Sequence, residues 1–213
     1  MSSVSAFSFT GATCEALAKH EILKDVLKDE KFEPWGVLNV QFSSDAPVAM
    51  GNTLTVAKTQ SKPSVQFNLN PERDAPRITD NDLFTLVMTD PDAPSRGDKK
   101  WSEYCHYVES DIRILERSQT TTGKVEPQFV CAEVQGGKVL QPYAPPGPPK
   151  GTGKHRYVFL LLKQPQGVTS SRFTRIADRP NWGYGTPATG VSRWATENGL
   201  EPIAANFFYA EHK

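Results

Sequence analysis

The sequence predicts a mainly β domain with α-helices at its periphery, and three observations carry that expectation. From residue 37 onward, short runs rich in β-branched and aromatic residues recur, separated by Pro, Gly, Asn and Asp. Apolar residues at helical spacing are confined to one stretch near each end. With 213 residues, 38% hydrophobic and 23% charged, the chain is long and apolar enough to bury a substantial core, which excludes wholesale disorder. A single domain over residues 1–213 is expected.

Residues 1–12 read as a flexible N-terminal segment. Residues 14–28 place Ala18, Ile22, Leu23, Val26 and Leu27 on one stripe, with Lys19, Lys24 and Lys28 elsewhere on the wheel, so an amphipathic helix is expected there. Strands are expected over 37–42, 64–69, 83–89, 104–112, 155–163 and 203–209. Residues 143–153 hold four prolines and three glycines and cannot be helical. The roughly 60 residues after them lack a core of their own, so this stretch reads as a loop inside one domain. Near the end, Thr186 can cap a helix with Pro187 at its first position. Ala188, Val191, Trp194 and Ala195 would form its inner stripe, and Asn198-Gly199 its stop. Internal repeats and heptads are absent from the sequence.

Lys+Arg 24 balances Asp+Glu 24, which removes the electrostatic case for a protein that coats nucleic acid. Any bound anion must be held locally. The first twenty residues lack the basic and apolar regions of a signal peptide. The longest apolar run, Val158 to Leu162, is far short of the ~20 residues that span a bilayer. Membrane contact is peripheral at most on this reading. Cys14, Cys105 and Cys131 are odd in number and widely spaced, which fits reduced thiols and a cytosolic address.

The apolar run 83–89 leads into Asp90-Pro91-Asp92-Ala93-Pro94. Prolines stiffen this turn, so its carboxylates are presented with little freedom; an ordinary turn whose Asp side chains satisfy nearby amides is the plain alternative. His20, on the first helix, and His212, in the tail, read as solvated. His106 is expected to share a strand face with Tyr104 and Val108, and His155 with Tyr157, Phe159 and Leu161. Either histidine alone reads more readily as a satisfied core or edge residue than as a functional group. If Asp90, His106 and His155 converge, the carboxylate orients an imidazole whose other nitrogen can donate to an anion.

The stretch 147–155, Gly-Pro-Pro-Lys-Gly-Thr-Gly-Lys-His, is not a P-loop. Pro148 stands where the first glycine is needed, and Lys154 is followed by His155 in place of a hydroxyl. What survives is a rigid wall carrying Lys150, Lys154 and Arg156, able to receive a small anion. There is no G-x-S-x-G elbow and no H-E-x-x-H. Cys105 and His106, as strand neighbours, should point apart and form no thiolate pair. A His/His/Asp metal site lacks supporting ligand spacing, and no cofactor is expected.

Together, Asp90-Pro91-Asp92-Ala93-Pro94-Ser95-Arg96, His106 and the run from Gly147 to Tyr157 resemble the two signature blocks of the phosphatidylethanolamine-binding protein family. The resemblance implies an antiparallel β-sandwich with peripheral helices and a small pocket for phosphate or phospholipid head groups. Carried over, the pocket residues are Asp90, Tyr104, His106, Gly147, Pro148, Pro149, His155 and Tyr157. Tyr104 stands where relatives often have Trp, which implies a smaller aromatic wall.

Residues 46–54, 178–187 and 206–211 are similar to the fungal branch of that family. This implies a non-enzymatic inhibitor of a vacuolar serine carboxypeptidase of the carboxypeptidase Y type, docked through its N-terminal segment. Met removal and acetylation would leave an uncharged start at Ser2, with Phe7 and Phe9 as apolar anchors. The alternative implied role is a phospholipid- or phosphate-binding regulator of Ras or kinase signalling.

Overall fold

A computed structural model describes residues 9–70, 78–114, 131–134 and 136–212. Among the described residues two α-helices are formed, α1 (Phe9–Lys19) and α2 (Val191–Asn198). The strands are β1 (Gly36–Gln41), β2 (Pro47–Val48), β3 (Asn52–Thr53), β4 (Ser64–Leu69), β5 (Phe84–Asp90), β6 (Tyr104–Ile112), β7 (Cys131–Glu133), β8 (Lys138–Gln141), β9 (His155–Lys163) and β10 (Glu201–Ala210). They pair into a four-stranded sheet, β2-β1-β4-β7, and a six-stranded sheet, β3-β10-β9-β5-β6-β8. Every pairing is antiparallel except β3 with β10, which is parallel, so the purely antiparallel expectation is corrected at one edge. The short strands β2, β3, β7 and β8 had no sequence signal long enough to show a period.

The six expected long strands are present because their apolar patterns match two distinct environments. In β1 and β4 the pattern alternates, with Leu38, Val40, Val65 and Phe67 turned into the space between the sheets. Strands β5 and β9 lie centrally in the larger sheet and are buried on both faces, hence their unbroken apolar runs. Tyr157, Phe159 and Leu161 join the inter-sheet core, while Val158, Leu160 and Leu162 meet the helical segments outside. No helix among the described residues is long and apolar enough to cross a membrane. Cys14 and Cys105 form no disulfide among the described residues, and Cys14 Sγ donates to the Phe32 carbonyl at 3.3 Å; the Cys131 side chain lies outside the described residues.

The N-terminal helix differs from expectation. It begins at Phe9, inside the segment expected to be flexible, and ends at Lys19. Glu21 takes a left-handed φ of 58°, and a π-helical turn, Leu23–Leu27, follows. The cause is tertiary: the His20 carbonyl accepts from Arg156 Nη1 at 2.9 Å, and Asp25 is drawn to Arg156 Nη2 at 2.7 Å. Leu17, not the exposed Ala18, completes the buried stripe with Ile22, Leu23, Val26 and Leu27. His20 is half-buried, its Nδ1 2.8 Å from the Tyr209 hydroxyl, whereas His212 is exposed.

At the other end, α2 starts at Val191 and not after Thr186. Ala188 is exposed at a φ of 57°, incompatible with a helix starting there. Val191, Trp194 and Ala195 are buried as expected. Gly199 stops the helix in the left-handed region, its N–H donating to the Ala195 and Thr196 carbonyls.

Arg156 is buried completely, and its charge is matched chiefly by Asp92, whose carboxylate takes Arg156 N–H, Nε and Nη2 at 2.9, 2.8 and 2.6 Å. Truncating one partner of such a pair strands the other charge. Asp92→Ala is therefore expected to cost about 3 kcal/mol in urea unfolding; a loss too small to measure would show that water reaches the guanidinium.

Candidate functional site

Asp90 ends β5 and enters the stiff turn. Its Oδ1 accepts the Asp92 N–H at 2.7 Å, which fixes the carboxylate, and its Oδ2 lies 2.8 Å from His155 Nδ1. His155 is the first residue of β9, and both side chains are almost wholly buried. The face read for His155 is the one it occupies, beside Tyr157.

His106 reaches the same place by a different device. Across β5 and β6, Met88 pairs with Tyr107 and Thr89 with Cys105, so His106 is the extra residue of a β-bulge. The bulge breaks the alternation: Val108 belongs to the outer core with Cys105, and His106 does not share its face as expected. Cys105 points away from the site, and burial pushes its thiol pKa up, so it is inert and unpaired with His106.

The bulge is tied to the proline-rich loop. His106 Nδ1 donates to the Ala144 carbonyl at 2.7 Å, and the Ala144 N–H returns to the His106 carbonyl at 2.8 Å. Arg179 Nη1 donates to the carbonyls of Cys105 and His106, and its Nη2 to that of Pro142. With Nδ1 engaged, Nε2 is the nitrogen that His106 can offer a ligand. Desolvation holds its pKa below the ordinary 6.5, with Asp90 opposing and Arg179 reinforcing the shift.

Asp90, Tyr104, His106, Gly147, Pro148, Pro149, His155 and Tyr157 line one cavity of about 210 Å³. Tyr157 forms its floor, stacked on His155 at 6.4 Å and edge-on to His106 at 5.2 Å. Tyr104 covers His106 at 4.9 Å. Burial, then the charge of Asp90, raises the Tyr157 phenol pKa, so it stays a neutral group. Sequence reasoning missed Trp101, which lines the mouth at 43% exposure with Lys100 Nζ 4.9 Å from its ring. It offsets the aromatic surface that Tyr104 lacks; an isolated Trp beside the Asp-Pro turn was the available signal.

Two expectations about the cations and donors are corrected. Arg156 points to the opposite face from His155 and is consumed by Asp92 and Asp25, so it receives no anion in the cavity. His155 has no idle nitrogen: Nδ1 faces Asp90, and Nε2 lies 2.9 Å from Thr152 Oγ1. Lys154 Nζ donates to Thr53, and Lys150 is exposed and does not line the cavity. Ser2 and Phe7 lie outside the described residues; Phe9 is the first residue of α1, and its side chain is likewise outside them.

Residues 41–208 match the family model described as phosphatidylethanolamine-binding protein. The chain belongs to the phosphatidylethanolamine-binding protein family. Within that family it is 55% identical to carboxypeptidase Y inhibitor of Saccharomyces cerevisiae over 218 aligned residues, covering 98% of this chain and 99% of the relative. The crystal structure of carboxypeptidase Y inhibitor complexed with its cognate proteinase superposes with a TM-score of 0.90, at 54% identity over 98% of both chains. The phosphatidylethanolamine-binding protein of Plasmodium vivax shares the fold, with a TM-score of 0.64 at 23% identity over 94% of this chain and 97% of that one.

Proposed function

We propose that this protein is a non-enzymatic inhibitor of a serine carboxypeptidase of the carboxypeptidase Y type, acting as one domain over residues 1–213. The observation that carries this reading is likeness along the whole length, at 55% identity, to a protein that carries that inhibitor name. A fold likeness alone would not transfer the activity; here the matching also extends to a relative captured with its proteinase. Docking is assigned to the N-terminal segment, with Ser2 at the uncharged end and Phe7 and Phe9 as anchors. The address that goes with this assignment is the cytosol, with the vacuole, where such an enzyme acts, as a second one. Titration of carboxypeptidase Y with the protein is expected to give stoichiometric inhibition at nanomolar concentration. Undiminished peptidase activity at micromolar protein would overturn the proposal.

The cavity supports a second, separate role: binding a phosphate or phospholipid head group at Asp90, Tyr104, His106, Gly147, Pro148, Pro149, His155 and Tyr157, from which regulation of Ras or kinase signalling could be exerted. The two imidazoles on one Tyr-floored cavity favour it. Because His106 has a depressed pKa, an anion at Nε2 must bring a proton with it. Sulfate, which stays doubly charged across the range, is expected to bind more tightly as pH falls below 6.5, by up to about tenfold per unit. His106→Gln should flatten that profile in calorimetry and leave inhibition of the carboxypeptidase intact. A pH-independent affinity in the unaltered protein would remove His106 from the site.

A further inference from the structure

The Thr152 hydroxyl sits between two groups and owns one proton. On one side the Pro149 carbonyl, 2.7 Å away, can only accept. On the other, His155 Nε2 is 2.9 Å away. The hydroxyl must therefore donate to Pro149 and accept from His155, which places a proton on Nε2. The 2.8 Å contact of Nδ1 with Asp90 Oδ2 holds a further proton, whichever atom carries it. Hence the polarised Nε2–H, the strongest donor that His155 has, is already occupied by an oxygen of the protein itself.

We propose that Thr152 is the gate of the cavity, a residue that sets anion affinity by holding the seat an anion oxygen would take. The proposal rests on reading the cavity as an anion site. Thr152 is not among the residues that line the cavity, although His155, Pro148 and Pro149 are. Its hydroxyl meets His155 Nε2 from the loop side. Gly151 and Gly153 flank it at φ values of 82° and 79°, the left-handed conformation that winds the loop tightly enough for Thr152 N–H to reach the Pro149 carbonyl as well, at 3.2 Å. The β-branched side chain is stiff about χ1. An anion that takes Nε2–H must turn the hydroxyl away, breaking its bonds to His155 and Pro149 together. The gate thus lowers affinity for any anion too weak to displace it and favours one with an oxygen that can replace Oγ1 in both position and charge.

Sulfate affinity measured by calorimetry on the full chain distinguishes the outcomes, with thermal melts confirming that each variant is folded. Thr152→Val keeps the shape, removes the acceptor and leaves Nε2–H unpaired, so sulfate is expected to bind about tenfold more tightly, the equivalent of one hydrogen bond no longer displaced. Thr152→Ser restores the hydroxyl and is expected to stay within about twofold of the unaltered protein. In the unaltered protein, sulfate should shift the His155 Nε2–H resonance as its partner changes. Sulfate binding by the unaltered protein with no gain in Thr152→Val overturns the gate alone. Absence of binding in the unaltered protein and in both variants overturns the gate and the anion reading together. A gain in Thr152→Val supports the gate even where the unaltered protein binds too weakly to measure.

Discussion

Deleting residues 2–9 is expected to weaken inhibition of carboxypeptidase Y roughly a thousandfold, the equivalent of two apolar anchors of about 2 kcal/mol each. The same deletion is expected to leave the melting temperature almost unchanged. The reason is positional: among the described side chains the first buried ones of the N-terminal helix are Thr13 and Leu17, and the deletion leaves both in place. Phe7→Ala and Phe9→Ala, made singly, should each account for part of the loss, and the ratio between them would say which ring fills the deeper pocket. A truncated protein with undiminished potency would move the docking surface onto the folded body and leave the uncharged start without a role.

The larger sheet was legible because its central strands are buried twice over. A run such as Val158 to Leu162, apolar without alternation, has few explanations in a short segment other than a strand covered on both faces. The helix ends were less legible, because each is decided by a residue far away in sequence. Arg156 claims the His20 carbonyl and breaks the first helix, and no local propensity contains that contact. Thr186-Pro187 satisfies the usual starting rule for a helix, yet α2 begins at Val191, just after Gly190, where the carboxyl of Glu103 stands so close that a Cβ would lie 2.3 Å from it. The helix start is set by that carboxyl.

At the site, residue identity was legible and function of the individual nitrogens was not. Period-two alternation places His155 and Arg156 on opposite faces of β9, so the exclusion of Arg156 from the cavity was available from the sequence and was overlooked. The bulge at His106 was not available, because it exists only as two residues of β6 facing one interval of β5. Thr152 read as part of a glycine loop; only the coordinates put its hydroxyl on an imidazole.

Glu103→Gln is expected to change how stability depends on pH more than any other single substitution at a titrating group. Glu103 is 1% exposed and immediately precedes β6. Its Oε2 accepts from Thr89 at 3.0 Å, whose hydroxyl oxygen in turn accepts from Trp182 Nε1 at 3.0 Å. Oε1 has no hydrogen-bond partner among the described residues. Burial pushes the carboxyl from its ordinary 4.5 up to about 8, against the hydrogen bond from Thr89 and the nearby Val191 backbone. A raised folded pKa means that the protonated form is preferred on folding. The contribution is therefore complete below pH 4.5, declines as pH rises, and is lost above about 8, where the difference reaches about 5 kcal/mol. Asp25, Asp82, Glu109 and Asp111 work in the opposite sense: burial raises each, but their hydrogen bonds and cations outweigh it, so their stabilisation is lost only as pH falls through the low carboxylate range. The two windows barely overlap, which lets one substitution separate them. Urea unfolding of the Gln variant should match the unaltered protein near pH 4.5 and exceed it progressively toward pH 9. Parallel curves over that whole range would show that the Glu103 carboxylate finds water or a cation in the folded state and carries its charge without penalty.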